Sequence, residues 1–270
     1  MAGGAIRIHP SIPSTENHDY PDKRSVMKAI LTGHTRGLGA AIAQELLARN
    51  IAVLGVARKR NAELEKNFPA LLQQAEVDLA DSSALAHWLA GGALQGFMAG
   101  SKEILLVNNA GIVQPVGPID TQDPVTIAQA VSLNVAAPLM LAGAVAAANR
   151  GTGGLRILHV SSGAARNAYP GWSVYCATKA ALDHHARAVV LDKTPNVRIC
   201  SLAPGVIDTD MQAQIRATPV EHFPLRERFE GLKREGQLTS PEDCARRLVD
   251  YLLDAKFGQM PVADIREIDR

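Results

Sequence analysis

From Met27 onward, short apolar runs with little charge alternate with longer stretches whose apolar residues recur every three or four positions. Met27–Thr32, Ile51–Ala57, Gln73–Leu79, Glu103–Val107, Leu155–Val160 and Val197–Leu202 read as strands, short and for the most part apolar. Between them, residues 39–49, 61–68, 82–99, Val125–Asn149, 173–192 and Pro241–Asp254 carry helical spacing. Ser240 is placed to cap the last of these, with Pro241 at its first position. Met260–Ile265 is a seventh candidate strand. Residues 211–238 are polar and irregular and predict no element.

Strands that are apolar along their whole length belong to a parallel sheet covered on both faces, because crossover helices occupy both sides. The expected architecture is therefore α/β: a single-domain Rossmann-type, doubly wound parallel sheet of about seven strands flanked by helices, over residues 27–270. No repeat or low-complexity tract interrupts it, and the alanine-rich Ala136–Ala148 reads as a closely packed helix. Residues 1–26 contain three prolines and no apolar core of the secretory-leader kind, so they are expected to be a disordered N-terminal extension, or to precede a true start at Met27.

Composition narrows the functions. The chain has 270 residues, 47% hydrophobic and 20% charged, with a net charge of +1. That balance gives no field for nucleic acid, and 4% aromatics leaves little for base stacking. No uninterrupted apolar run reaches the ~20 residues of a bilayer span. The three cysteines, Cys176, Cys200 and Cys244, are widely spaced, so neither a disulfide framework nor a metal site is expected. A reducing, cytoplasmic setting fits this usage.

The first apolar run leads into Thr32-Gly33-His34-Thr35-Arg36-Gly37-Leu38-Gly39 and then into a helix. Gly33 permits a tight turn, Gly37 lets a backbone approach a pyrophosphate, and Gly39 lets the helix lie close to the strand. The helix N-terminus offers free N–H groups to the phosphates. Gly33, Thr35, Arg36, Gly37, Leu38 and Gly39 are thus candidate cofactor contacts. The second strand ends Ala57-Arg58-Lys59-Arg60, without the acid that would hold an NAD ribose. Arg36 and Arg58 suit a 2′-phosphate instead, which favours NADP(H).

Tyr175 and Lys179, four residues apart on an expected helix, share one face. An ammonium beside a phenol is expected to lower its pKa from ~10 toward the range of acid–base work. Ser162 follows the fifth strand, at the carboxyl end where α/β sites gather, and its hydroxyl is placed to hold a carbonyl oxygen.

Taken together, these motifs resemble the short-chain dehydrogenases/reductases across nearly all of residues 27–268. Thr32 to Gly39 matches that family's TGxxxGxG loop, Asn108-Asn109-Ala110-Gly111 its NNAG stretch, Tyr175 to Lys179 its YxxxK, and Pro204 to Thr209 its PGxxxT segment. The resemblance implies Ser162, Tyr175, Lys179 and Asn134 as catalytic residues, with Ser161 the second candidate for the serine. It implies that Tyr175 protonates the carbonyl, Lys179 binds the nicotinamide ribose, and Asn134 holds a water of the proton relay. It places Asp78 and Leu79 at the adenine, Asn109, Ala110 and Gly111 along the cofactor, and Pro204, Ile207 and Thr209 at its nicotinamide end.

A narrower likeness, to sepiapterin reductases and bacterial benzil (dicarbonyl) reductases, rests on Gly171-Trp172, Lys179-Ala180-Ala181 with Asp183, and Asp208 to Gln212. It implies a ketone or vicinal dicarbonyl as the small-molecule substrate, lined by Trp172, Met211 and Gln212, with Asp264 as the nearest candidate for a pterin anchor. The family's helix pairing implies a homodimer or homotetramer.

Other residues invite simpler readings. His34 is expected to tolerate the turn rather than serve the cofactor. The adjacent His184 and His185 cannot face one site, and Cys176 is expected to be a small buried side chain. The absence of Gly-x-Ser-x-Gly argues against a hydrolase. Two further functions stay open at this point: a non-catalytic NADPH sensor and an NAD-dependent alcohol dehydrogenase.

Overall fold

A computed structural model describes residues 27–151 and 153–268; the expected extension over residues 1–26 lies outside the described residues. The strands are β1 Met27–Thr32, β2 Ala52–Ala57, β3 Leu72–Glu76, β4 Glu103–Asn108, β5 Gly154–Val160, β6 Val197–Ala203 and β7 Val262–Asp264. They form one parallel sheet in the order β3-β2-β1-β4-β5-β6-β7. Strand order reverses between β1 and β4, which opens a crevice at the carboxyl ends of those two strands.

Alternate residues of each strand enter opposite layers, so both faces are apolar. Ala29, Leu31, Val53, Leu105, Val107 and Leu158 meet Ile42 and Leu46 of α1 Gly37–Ala48 and Leu248, Val249 and Leu252 of α10 Pro241–Leu253. Ile30, Leu54, Val56, Ile104, Leu106 and Ile157 meet Leu85, Leu94, Phe97, Leu141 and Ala186 from the helices of the other layer. These are α3 Ser82–Ala90, α4 Ala93–Met98, α6 Ala137–Ala148 and α7 Ser173–Leu191. A short α2, Ala62–Asn67, links β2 to β3, and α11, Ile265–Ile268, follows β7. Ser240 caps α10 as expected, its Oγ accepting from Asp243 N at 3.1 Å.

Several boundaries differ from the pattern. The helix expected over residues 82–99 is two, broken at Gly91 and Gly92, the latter at φ +81°. β3 stops at Glu76, because the Asp78 side chain turns the chain by accepting from Ala80 N at 3.0 Å. The long helix after β4 is α5 Pro124–Val131, a π-helical turn Ser132–Ala136, then α6. The helical stretch Pro124–Ala148, apolar but interrupted by Thr126, Gln129, Ser132 and Asn134, is long enough to cross a membrane by length and composition alone. Its second half packs on β4, β5, α3 and α4 as a core helix of the sheet's flanking layer. Residues 211–238 are not irregular: they hold most of α8, Asp210–Ala217, and all of α9, Arg226–Arg234. Each is only about two turns long, and Pro219 and Pro224 lie between them, so no helical period could build up along the sequence.

Candidate active site

The glycine loop lies at the crevice. Gly33 sits at φ +71° and Gly37 at φ +53°, a region that L side chains rarely adopt. A Cβ on Gly39 would lie 2.0 Å from Gly33 O, so only glycine allows α1 to start this close to the turn. The first turn of α1 has no side-chain cap and no acidic residue, which leaves its N–H groups to an outside acceptor. The loop is bolted to the strand beside it. Thr32 Oγ1 accepts from Asn109 N and Ala110 N at 2.9 and 3.0 Å, while Asn109 Nδ2 donates to Thr32 O at 3.0 Å. Thr35 and Leu38 lie in the same loop, Leu38 turned into the core.

On the other side, the segment after β6 descends onto the loop. A Cβ on Gly37 would meet Thr209 Cγ2 at 3.5 Å, and Arg36 Nη1 lies 3.4 Å from Asp210 Oδ2. Pro204 and Ile207 are buried in this segment. Arg58, just past β2, is exposed, as is Asp78 past β3, whereas Leu79 is buried. His34 does not face the crevice. Its ring is fully buried above Gly55, whose added Cβ would lie 2.5 Å from it, and its Nε2 pairs with Gln74 Oε1 at 2.7 Å.

Tyr175 and Lys179 lie on the buried face of α7, against the end of β5. Ser162 follows β5 close to Tyr175, its Oγ accepting from Ala164 N at 3.1 Å and its hydroxyl favouring the phenolate form of Tyr175. Lys179 Nζ lies 5.8 Å from the centre of the Tyr175 ring and donates to Val160 O at 2.8 Å. A Cβ on Gly111 would come within 3.6 Å of that Nζ and 3.2 Å of Asn134 Oδ1, so Gly111 keeps the space between them open. Asn134, in the π turn, accepts from Ile112 N at 2.9 Å and donates to Ile112 O at 2.8 Å and Thr178 Oγ1 at 3.2 Å. Both its amide hydrogens are committed, so a water at this side chain can only donate to the remaining lone pair of Oδ1.

Burial reverses the electrostatic expectation drawn from spacing. The phenol of Tyr175 is pushed up to about 12 by loss of solvent, which outweighs the opposing influence of the nearby Ser162 hydroxyl. Lys179 is pulled down to about 8 by the same loss of solvent, with the Asp183 carboxylate opposing it. At neutral pH this arrangement holds a protonated phenol beside an ammonium.

Above Tyr175 lies an aromatic wall. Trp172 stacks on Phe223 at 4.7 Å and 16° and meets the rings of Tyr175 and Tyr169 edge-on at 5.4 and 5.5 Å. Phe229 of α9, Ile215 of α8 and Met211 close the cluster. Gln212 is buried beside it. Asp264 ends β7 with both oxygens engaged by Arg266, at 2.8 and 2.6 Å, which leaves this carboxylate little free capacity as a pterin anchor. Cys176, expected to be buried, is half-buried, its Sγ 3.7 Å from Asn167 O.

A dinucleotide fits this crevice: uncapped helix N–H groups, glycines where a Cβ would collide, and no acid at the end of β2. The sequence model of the short chain dehydrogenase family matches residues 27–220. The chain belongs to that family. It is 35% identical to a benzil reductase ((S)-benzoin forming) of Bacillus cereus, over 88% of this chain and 98% of that protein. It is 32% identical to the sepiapterin reductase of Bos taurus, over 84% and 90% of the two chains. A short-chain dehydrogenase/reductase structure from Burkholderia vietnamiensis shares 50% identity with it, at a TM-score of 0.67 over 90% of this chain. This short-chain dehydrogenase is accordingly an oxidoreductase with an NAD(P)(H)-binding fold.

Three features of the dehydrogenase's site had no role assigned to them from the sequence. Thr32 joins the glycine loop to the segment after β4, and its place at the head of the glycine motif was the available signal. Phe223 and Phe229 build the aromatic wall, and nothing short of their fold reveals it. Asp183 gathers a buried cluster described below. Thr32→Val removes one acceptor from two N–H groups in the core, and is expected to cost about 2–4 kcal/mol in urea denaturation. An unchanged midpoint would show that the bolt contributes nothing.

Proposed function

We propose that the protein is a carbonyl reductase that uses NADPH to reduce a ketone, or one carbonyl of a vicinal dicarbonyl, with Tyr175 as the proton donor. The observation that carries this is the buried, protonated phenol of Tyr175 held between the Ser162 hydroxyl and the Lys179 ammonium, at the strand ends beside the glycine cradle.

Gly33, Thr35, Gly37, Leu38 and Gly39 would present backbone to the cofactor's pyrophosphate, and Asp78 and Leu79 would lie toward its adenine. Asn109, Ala110 and Gly111 flank the far end, together with Pro204, Ile207 and Thr209. Bound reduced nicotinamide supplies the hydride. Ser162 donates a hydrogen bond to the substrate carbonyl oxygen and fixes its direction. Tyr175 releases its phenolic proton to that oxygen as the carbon becomes tetrahedral, giving the alcohol. The nearby ammonium of Lys179 stabilises the phenolate left behind until solvent returns a proton. Asn134 orders the approach to Lys179.

Two observations support a dicarbonyl. The curated relatives include a benzil reductase. The indole N–H of Trp172, buried and next to Tyr175, has no hydrogen-bond partner among the described residues, and a second carbonyl oxygen would satisfy it. Arg36 and Arg58 favour the 2′-phosphate, since both are exposed at the loop and no acid ends β2. The exposed Ile119, Val125, Val131, Val190 and Leu191, on or beside α5 and α7, support a homodimer or homotetramer through these helices.

Tyr175→Phe is expected to abolish reduction of diketones, followed at the nicotinamide absorbance, while NADPH still binds by fluorescence titration. Retained turnover would remove Tyr175 from the role. Arg36→Ala with Arg58→Ala is expected to raise KM for NADPH by at least about tenfold and leave that for NADH nearly unchanged. An equal effect on both would mean the arginines do not read the phosphate. Light scattering at micromolar concentration is expected to report at least a dimer, and a monomer there would exclude this assembly.

A further inference from the structure

One turn beyond Lys179, α7 carries a buried polar cluster outside the groups already assigned. Asp183 is 2% exposed. Its Oδ1 accepts from Ser161 Oγ and Ser201 Oγ, each at 2.8 Å, and its Oδ2 from Arg166 Nε at 3.1 Å. Arg166 also donates from Nη2 to Ala263 O at 2.8 Å. One carboxylate therefore gathers the end of β5, strand β6, the loop after Ser162 and, through Arg166, strand β7.

Cohesion alone does not call for this. A buried ion pair repays its desolvation poorly, and an apolar cluster of the same volume would hold these elements as well. What the carboxylate adds is direction and charge. Ser161 and Ser162 are consecutive residues on extended backbone, Ser162 at φ −159° and ψ 158°, so their side chains project to opposite sides. Tying the Ser161 hydroxyl to Asp183 turns the Ser162 hydroxyl toward Tyr175. Tyr175, Lys179 and Asp183 follow at four-residue intervals on one helix face. Asp183 is the carboxylate whose field reaches Lys179.

We propose that Asp183 is a positioning residue for this reaction: its buried carboxylate aims Ser162 by way of Ser161 and keeps the Lys179 ammonium charged beside the phenol. The inference rests on the reading of Tyr175 and Lys179 given above. The titratable and charged groups around the pair are Arg166 and Cys200 beside Asp183, Tyr175 and His159 beside Lys179, and Asp264 within reach of Arg166. His159 is fully buried and held down near 3, so it brings no competing cation at neutral pH.

Lys179 is charged below about 8 and loses its proton as the pH rises through that value, and kcat/KM for reduction follows it down. The test reads this titration directly in the cofactor-free enzyme. Lysine labelled with 13C at Cε is followed by NMR, and the Lys179 signal is identified by its loss in Lys179→Arg. Asp183→Asn keeps the shape and removes the charge. It is expected to lower the Lys179 midpoint by about one pH unit. It is also expected to reduce kcat at least about tenfold with little change in KM. Arg166→Met removes the counter-charge, and is expected to raise the midpoint by about half a unit.

Shifts of opposite sign cannot come from loosened packing. Midpoints that move together or stay in place, or an unaltered kcat in Asp183→Asn, would overturn the proposal. Should Asp183→Asn fail to fold, Asp183→Glu, which keeps the charge, is read beside Arg166→Met, and a midpoint unmoved in Arg166→Met or lowered in Asp183→Glu overturns it. Turnover by Tyr175→Phe would defeat the catalytic reading separately, since the Lys179 midpoints do not depend on it.

Discussion

Burying polar side chains along one face of α7 is the constraint on which the site depends. Tyr175, Thr178, Lys179 and Asp183 all lie within the protein, where a polar group without a partner costs about 1–3 kcal/mol. Each therefore dictates a neighbour. Thr178 takes Asn134, and with it the π turn of the preceding helix. Lys179 takes the carbonyl of Val160 at the end of β5. Asp183 takes Ser161, Ser201 and Arg166. The helix is in this way registered against three strands by directional pairings.

The same burial fixes the protonation states. Two groups of opposite acid–base character lose solvent together, and loss of solvent drives each toward its neutral form. For the phenol that is the state a proton donor needs. For the amine it is the wrong direction, so the neighbouring carboxylate matters: it opposes the desolvation of Lys179. A hydroxyl, a phenol, an amine and an acid thus form one electrostatic unit, and the roles divide according to which groups can reach a substrate.

Around this unit the nucleotide crevice is built from backbone. Glycines at the α1 turn bring peptide N–H groups forward, and Thr32 locks that turn to the segment after β4. The segment after β6 approaches from the opposite side and continues into α8 and α9, whose inner faces supply the aromatic wall over Tyr175. On the proposed reading, the cofactor would be held by rigid strand ends and the substrate by two short helices, a division that suits a fold serving many substrates with one chemistry.

The order of strands and helices, the glycine turn, the residue types after β2 and the four-residue interval from Tyr175 to Lys179 were all determined by the sequence alone. They are local: periodicity and spacing encode which face a side chain occupies. The π turn at Asn134 was decided by tertiary structure, because it depends on Ile112 and Thr178, distant along the chain, whereas the break at Gly91 and Gly92 and the short helices in residues 211–238 left too little periodicity to be legible. Tertiary structure also decided the direction in which Tyr175 is shifted and the place of Asp183. Spacing put a lysine beside a phenol, but only packing sets how much water both lose and which carboxylate stands behind them.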